Sequence, residues 1–285
     1  MLDHQRNFLI LFVLLGITAV LVYAFLPGAT RVYERTSGHE QLRWQTHHAD
    51  ARNVSVVHVD FTHSDSSLIQ ASSPYRRIFK QVLKQEIKEK EDVLAAFLVH
   101  QRTQDNQPFY ATHSVYLEDE LISSVNGTPA VRLHQDLCME AFDELVHQYQ
   151  TPGALGIEDS TLMKHTNLIG AVQNAALYFR KYAKEKDHKR LFFLSDMREN
   201  AALVAPALRV DQITRKDQIA DLVNIALDRL VEISDVDIEQ ELKGAEVFVL
   251  TPNEHLYSSA NRNYIRIFWE MYFRQGLGCK SVYFQ

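Results

Sequence analysis

Residues Asn53 to Ser67 read NVSVVHVDFTHSDSS, and the fold turns on how this stretch changes character at Asp60. Val54, Val56, Val57 and Val59 make a β-branched apolar run, interrupted only by Ser55 and His58. A run that is apolar at nearly every position is the pattern of a strand buried on both faces, as in the middle of a parallel sheet. From Asp60 the side chains become a carboxylate followed by Phe61, Thr62, His63, Ser64, Asp65 and two further serines. A buried strand that ends this way delivers oxygen donors to the carboxyl edge of a sheet, where open α/β folds hold their ligands. Asp60, Thr62 and Ser64 sit on alternate residues and converge if the loop curls. An all-oxygen set suits magnesium, manganese or calcium better than zinc. Alone, the same residues also describe an ordinary turn with a helix N-cap.

Outward from this stretch, apolar runs alternate with amphipathic ones, which predicts an α/β fold. A helix is expected from about Ser72 to Glu91, with Tyr75, Ile78, Phe79, Val82, Leu83 and Ile87 on one face. Val93 to His100 and Phe109 to Leu117 are the second and third strands, and the short connection between them predicts an antiparallel pair. Glu118 to Leu133 is less regular, with a turn at Asn126-Gly127 that suits the tip of a small hairpin. Helices are expected at Gln135 to Tyr149, Leu168 to Lys184, Asp217 to Leu230 and Arg262 to Arg274. Strands are expected at Arg190 to Ser195, Glu246 to Leu250 and Val282 to Phe284. The stripe Tyr264, Ile267, Phe268, Met271, Tyr272 and Phe273 reads as core.

Two later stretches bear on Asp60. Lys164-His165-Thr166-Asn167-Leu168 is a polar loop entering a helix, and Leu194-Ser195-Asp196 ends the fourth strand in a second carboxylate. In a doubly wound sheet whose second strand lies on one side of the first and whose fourth lies on the other, the first and fourth strands are neighbours whose carboxyl ends flank the switch point. Asp60 and Asp196 then face one another, with Thr166 arriving from the loop above. Each piece has a plain structural alternative: Thr166 as the N-cap of its helix, and Asp196 as a cap for the residues after it.

The order Asp60-x-Thr62-x-Ser64, then Thr166, then Ser195-Asp196 resembles the von Willebrand factor A-type (vWA) domain with its metal-ion-dependent adhesion site. The resemblance covers roughly Asn53 to Phe284. It implies a doubly wound, mostly parallel sheet flanked by helices, similar to a Rossmann fold. It also implies a metal site of Asp60, Thr62, Ser64, Thr166 and Asp196. The hydroxyls of Thr62, Ser64 and Thr166 would ligate directly or nearly so, Asp60 and Asp196 largely through bound water, and a partner carboxylate would complete the octahedron. The sequence departs from the pattern at Met197, where many members have Gly, and in the extra polar groups of His63 and Asp65.

Residues Phe8 to Leu26 carry no charged side chain and are long enough to cross a bilayer as a helix, before Pro27 and Gly28 end the run. The apolar stretch exceeds a signal-peptide core, although Val22-Tyr23-Ala24 resembles a cleavage pattern. The expected organisation is a tail at 1–7, a single-pass transmembrane anchor at 8–26, a juxtamembrane linker at 27–52 and a vWA-like domain at 53–285. Arg31, Arg35 and Arg43 after the span outnumber Arg6 before it, which favours a cytoplasmic domain. A short amino-terminal anchor commonly leaves its domain outside, and the reading leans slightly extracytoplasmic with the side undetermined. Cys138 and Cys279 fit either a disulfide or two thiols.

The chain has 285 residues, is 46% hydrophobic and carries a formal charge of −6, so it is a folded protein without the basic surplus of a nucleic-acid binder. The basic stretch Arg180 to Arg190 reads as a solvated helix end. Histidines are scattered without an i,i+4 pair, which argues against zinc. The expected function is therefore a membrane-anchored interaction module. It binds a divalent cation (magnesium first, manganese or calcium next) and through it an acidic side chain of a protein partner. No catalytic constellation stands out. A metal-dependent hydrolase or phosphatase using Asp60 is the alternative, weakened because Thr62 stands where a second carboxylate is wanted. A metal-independent scaffold is the other.

Overall fold

A computed structural model describes residues 52–61, 72–89, 91–100, 102–103, 107–112, 128–150, 165–198, 210–251 and 259–285. Strand β1 (Asn53–Asp60) is buried from Val54 to Asp60, as its unbroken valine pattern requires. Helix α1 (Ser72–Glu86) leads to β2 (Val93–Val99) and β3 (Tyr110–Ala111). Helices α2 (Thr128–Gln150) and α3 (Leu168–Tyr182) precede β4 (His188–Leu194). Helices α4 (Ile219–Ile233) and α5 (Ile238–Leu242), strand β5 (Glu246–Leu250), helix α6 (Ser259–Met271) and strand β6 (Ser281–Phe284) complete the described chain.

The six strands form one sheet in the order β3-β2-β1-β4-β5-β6. Every pair is parallel except β2 with β3, which is antiparallel as expected from the short connection. β1 lies between β2 and β4, with Val59 opposite Leu194 and Asp60 opposite Val99. Alternate side chains feed two cores. Val54 and Val56 pack with Phe193, Val249 and residues of α3, α4 and α6, including Val172, Ala226 and Trp269. Val57 and Val59 pack with Leu194 and with Phe79 of α1 and Phe142 of α2, whose rings stack at 4.6 Å. The protein is thus a mixed α/β fold: a mostly parallel sheet with helices on both faces.

Several boundaries differ from those expected. α1 stops at Glu86 rather than Glu91 because the Asp92 carboxylate accepts hydrogen bonds from the amides of Lys88 and Glu89, both at 2.9 Å, and from that of Asn53. α2 begins at Thr128, so Thr128 to Leu133 are helical rather than irregular; Pro129 suits a first turn, where its missing N–H is not needed. The turn at Asn126-Gly127 lies outside the described residues. β3 covers only Tyr110 and Ala111, and the rest of its expected span from residue 113 is likewise outside. α6 gives way at Tyr272 to a π-turn, Tyr272–Gly276, with Phe268, Trp269, Tyr272 and Phe273 all fully buried. Tyr264, Ile267 and Met271 pack against that core, so the aromatic stripe is core as expected.

Cys138 and Cys279 are both free and buried, one in each core on opposite sides of the sheet, so they do not form a pair. Burial pushes the Cys279 thiol up to about 12 and the Cys138 thiol well above its usual value. The expected transmembrane span at 8–26 lies outside the described residues. Among the described residues no helix is long and apolar enough to cross a membrane.

Candidate functional site at the carboxyl edge of the sheet

Because β1 and β4 run parallel and side by side, they release Asp60 and the Ser195-Asp196 pair at the same edge. Asp60 is the last residue of β1 and is almost wholly buried. Ser195, fully buried, donates its hydroxyl hydrogen to Asp60 Oδ2 at 2.7 Å. The same Ser195 oxygen accepts a hydrogen bond from the Met197 amide at 2.9 Å, and the Ser195 carbonyl accepts from Thr251 Oγ1 at 3.4 Å. This hydroxyl therefore joins the two strand ends.

Asp196 lies beside it and is little exposed. Its Oδ1 accepts from the Arg198 amide at 2.9 Å, and Arg198 Nε stands 3.9 Å from Oδ2. The turn is sharp: Met197 has φ of 63°, in the left-handed region that favours glycine. Its side chain is nonetheless buried, and its carbonyl accepts from the Trp269 indole at 2.8 Å. The position where the vWA pattern often has Gly thus has a glycine-like backbone here, held by contacts that a glycine would not fully supply.

Thr166 is buried immediately before α3. The N-cap of α3 is Asn167, whose Oδ1 accepts from the Gly170 amide at 2.8 Å, and not Thr166. A Cβ at Gly170 would lie 2.7 Å from Asn167 Nδ2, so the cap uses the space that glycine leaves. α3 packs against β1 and β2, and its last residue, Tyr182, accepts from Arg52 at the start of β1, so its amino end points to the edge that bears Asp60.

The described members of the expected metal set are therefore Asp60, Thr166 and Asp196, at one edge; Thr62 and Ser64 lie outside the described residues. The donors are hard oxygens, which fits magnesium, manganese or calcium. Among the described residues no three His, Cys, Asp or Glu side chains gather at one point, so a cation beside Asp60 would depend on hydroxyl oxygens for part of its shell. His58, in mid-strand, is no ligand: its ring lies between Phe97 and Phe193, with centroids 5.3 and 5.4 Å away. Among the described residues neither ring nitrogen has a hydrogen-bond partner. Burial lowers its pKa to about 3, with the Ala171 backbone acting in the opposite direction.

Two features escaped the sequence reading. Ser195 was visible only as the first half of a Ser-Asp pair, whereas the hydrogen bond to Asp60 makes it the link between the strands. A cavity of ≈ 170 Å³ is lined by Asp196 and Met197 together with residues from β5, β6 and α6. No local sequence pattern could have announced it, because its walls come from segments far apart in the chain.

No family model matches this sequence, and no curated protein matches it. Among solved structures, the pilus adhesin SpaC from Lactobacillus rhamnosus GG, in its open conformation, aligns with 83% of this chain at 9% identity and a TM-score of 0.41. This chain covers 28% of that adhesin's length.

Proposed function

We propose that residues 53–285 form a vWA-type recognition module, in finer terms a doubly wound, Rossmann-like sheet. It holds a divalent cation, magnesium by preference, at Asp60, Thr62, Ser64, Thr166 and Asp196. The cation's remaining position grips a carboxylate of a protein partner, and the segment 8–26 anchors the module in a membrane. The reading rests on one observation above all: the 2.7 Å hydrogen bond from Ser195 to Asp60, which ties together two carboxylate-bearing strand ends. The buried Thr166, next to the Asn167 cap of α3, adds to it. A hard cation with one exchangeable position supplies a specific charge-based contact to an interface, and no bond need be made or broken.

Calorimetry with magnesium and manganese on the full-length chain, for wild type and for Asp60→Ala combined with Thr166→Ala, tests the proposal. Saturable binding that disappears in the double variant is the expected result. A folded wild type that binds neither ion would overturn it in favour of a metal-independent scaffold, and phosphoester hydrolysis abolished by Asp60→Ala would favour the hydrolase.

A further inference from the structure

The basic stretch from Arg180 to Arg190 divides in two. Lys189 and Arg190 turn inward, the first to the Glu241 carbonyl at 2.7 Å and the second to the Glu86 and Glu246 carboxylates. Arg180, Lys181, Lys184 and Lys186 are all exposed, at the end of α3 and in the turn to β4. Among the described residues none of these four is ion-paired, whereas the exposed Arg76, Arg229 and Arg274 each meet a carboxylate. Of the two acids in the turn, Asp187 is taken up by Arg52 at 3.2 Å and by the Lys184 amide at 2.9 Å. Four cations against the remaining Glu185 leave three positive charges in one short turn. The excess is local. At the end of α1, Lys84 and Lys88 are matched by Glu89 and Glu91, and around α5 the acids Asp235, Asp237 and Glu239 outnumber Lys243.

The same turn receives the chain as it enters the domain. Arg52 donates to the Tyr182 carbonyl at 2.6 Å as well as to Asp187, and the His188 amide donates to the Arg52 carbonyl at 2.8 Å. The segment 27–51 therefore joins the domain beside the four cations. We infer that the α3–β4 turn docks on the anionic phospholipid headgroups of the membrane that holds the anchor, an inference that rests on the proposed span at 8–26. Each Lys or Arg near such a surface raises affinity about fivefold, so three uncancelled charges supply a factor on the order of a hundred. That suffices for a tethered domain, because the linker turns docking into an intramolecular event at high effective concentration. The contact is electrostatic, and salt weakens it. Since β1 runs from beside this turn to Asp60, docking presents the candidate cation site away from the lipid.

Quenching of a fluorophore by nitroxide-headgroup lipid, with the full-length chain in nanodiscs, tests this. The label is placed at His188→Cys beside the turn, or at Arg102→Cys beyond the end of β2; both positions are exposed, and the native cysteines are buried. At His188→Cys, quenching is expected to be several-fold stronger in discs of phosphatidylcholine with phosphatidylglycerol than in phosphatidylcholine alone. It should vanish at about 1 M salt, where the Debye length is about 3 Å. Replacing Arg180, Lys181, Lys184 and Lys186 together by Gln should abolish it while thermal unfolding stays cooperative, and Glu185→Lys should strengthen it. Arg180→Lys should change nothing, because the contact needs point charges only. The label at Arg102→Cys should stay unquenched throughout. Equal quenching in the two kinds of disc, indifference to salt or to the fourfold variant, or stronger quenching at Arg102→Cys would each overturn the inference. Co-elution with phosphatidylcholine discs at high salt reads the anchor separately. A chain that fails there, yet shows salt-sensitive quenching on anionic discs, loses the anchor and keeps the docking turn.

Discussion

The Ser195 hydroxyl donates to the Asp60 carboxylate at 2.7 Å, which joins the ends of two neighbouring parallel strands through a single buried oxygen. Ser195→Ala removes that donor and leaves a buried carboxylate oxygen without it. The expected cost is about 1–3 kcal/mol of folding stability, measured by urea unfolding at neutral pH. Asp60→Asn retains an acceptor for Ser195 and should cost less, about 1 kcal/mol, because only the charge-assisted part of the bond is lost. The proposed cation site predicts that this milder variant nevertheless loses magnesium binding, and retained affinity would count against Asp60 as part of that site.

His58 makes stability depend on pH. Its folded pKa, near 3, lies below the ordinary value of 6.5, so the folded protein keeps the ring neutral where the unfolded chain protonates. The resulting stabilisation is complete above pH 6.5 and drains away as pH falls from 6.5 towards 3, at about 1.4 kcal/mol per pH unit within that window. His58→Phe places a third ring between Phe97 and Phe193 and removes the titration. Urea midpoints of wild type and variant, compared at pH 7 and pH 5, should diverge in favour of the variant at the lower pH; parallel behaviour would contradict the neutral buried ring.

At the opposite edge of the sheet, Glu86 is buried and receives Ser55 Oγ at 2.7 Å and Arg190 Nη1 at 3.2 Å. Arg190 also reaches Glu246 at 3.4 Å, and Lys280 meets the other oxygen of that carboxylate at 3.0 Å. Arg190→Met strands the Glu86 charge in the interior and should cost about 3–5 kcal/mol. Adding Glu86→Gln should recover much of that loss, because the stranded charge rather than the missing contact dominates it. A double variant no more stable than Arg190→Met would show that packing of the arginine stem is what matters.

Met197→Gly sets two effects against each other. The left-handed backbone at φ 63° becomes unstrained, worth about 1 kcal/mol, but a fully buried side chain is lost, and deletions of that kind cost about 2–5 kcal/mol. The net expectation is a destabilised protein. Thermal unfolding decides, and a Tm at or above wild type would mean that backbone strain outweighs the packing of Met197.

The central architecture was legible because it rests on burial. The valine run of β1 and the short β2-β3 connection carried their strand assignments, and β4 adjoins β1 as the doubly wound expectation required. What escaped depends on side chains acting over distance. The early end of α1 is set by Asp92, and α3 ends at Tyr182, two residues early, where Arg52 Nη2 donates to the Tyr182 carbonyl at 2.6 Å. α5 is only five residues long, too short for a helical period to show. At the site, the sequence distinguished the carboxylates Asp60 and Asp196 but not the cap: Thr166 and Asn167 are both good N-cap residues, and only the bond from the Gly170 amide decides between them. The arginine-lined cavity draws on β5, β6 and α6 together, and no window along the chain contains it.

The course of β1 has a mechanical consequence. The strand begins beside Arg52, which is fastened to Asp187 at 3.2 Å, and ends at Asp60, so the point where the chain enters the domain and the candidate site occupy opposite poles. A pull between these poles runs lengthwise along β1. Since β1 is laddered to β2 on one side and β4 on the other, it cannot be peeled away one bond at a time. Tension must shear both ladders at once, which makes the strand that carries Asp60 the tension-bearing member of the domain.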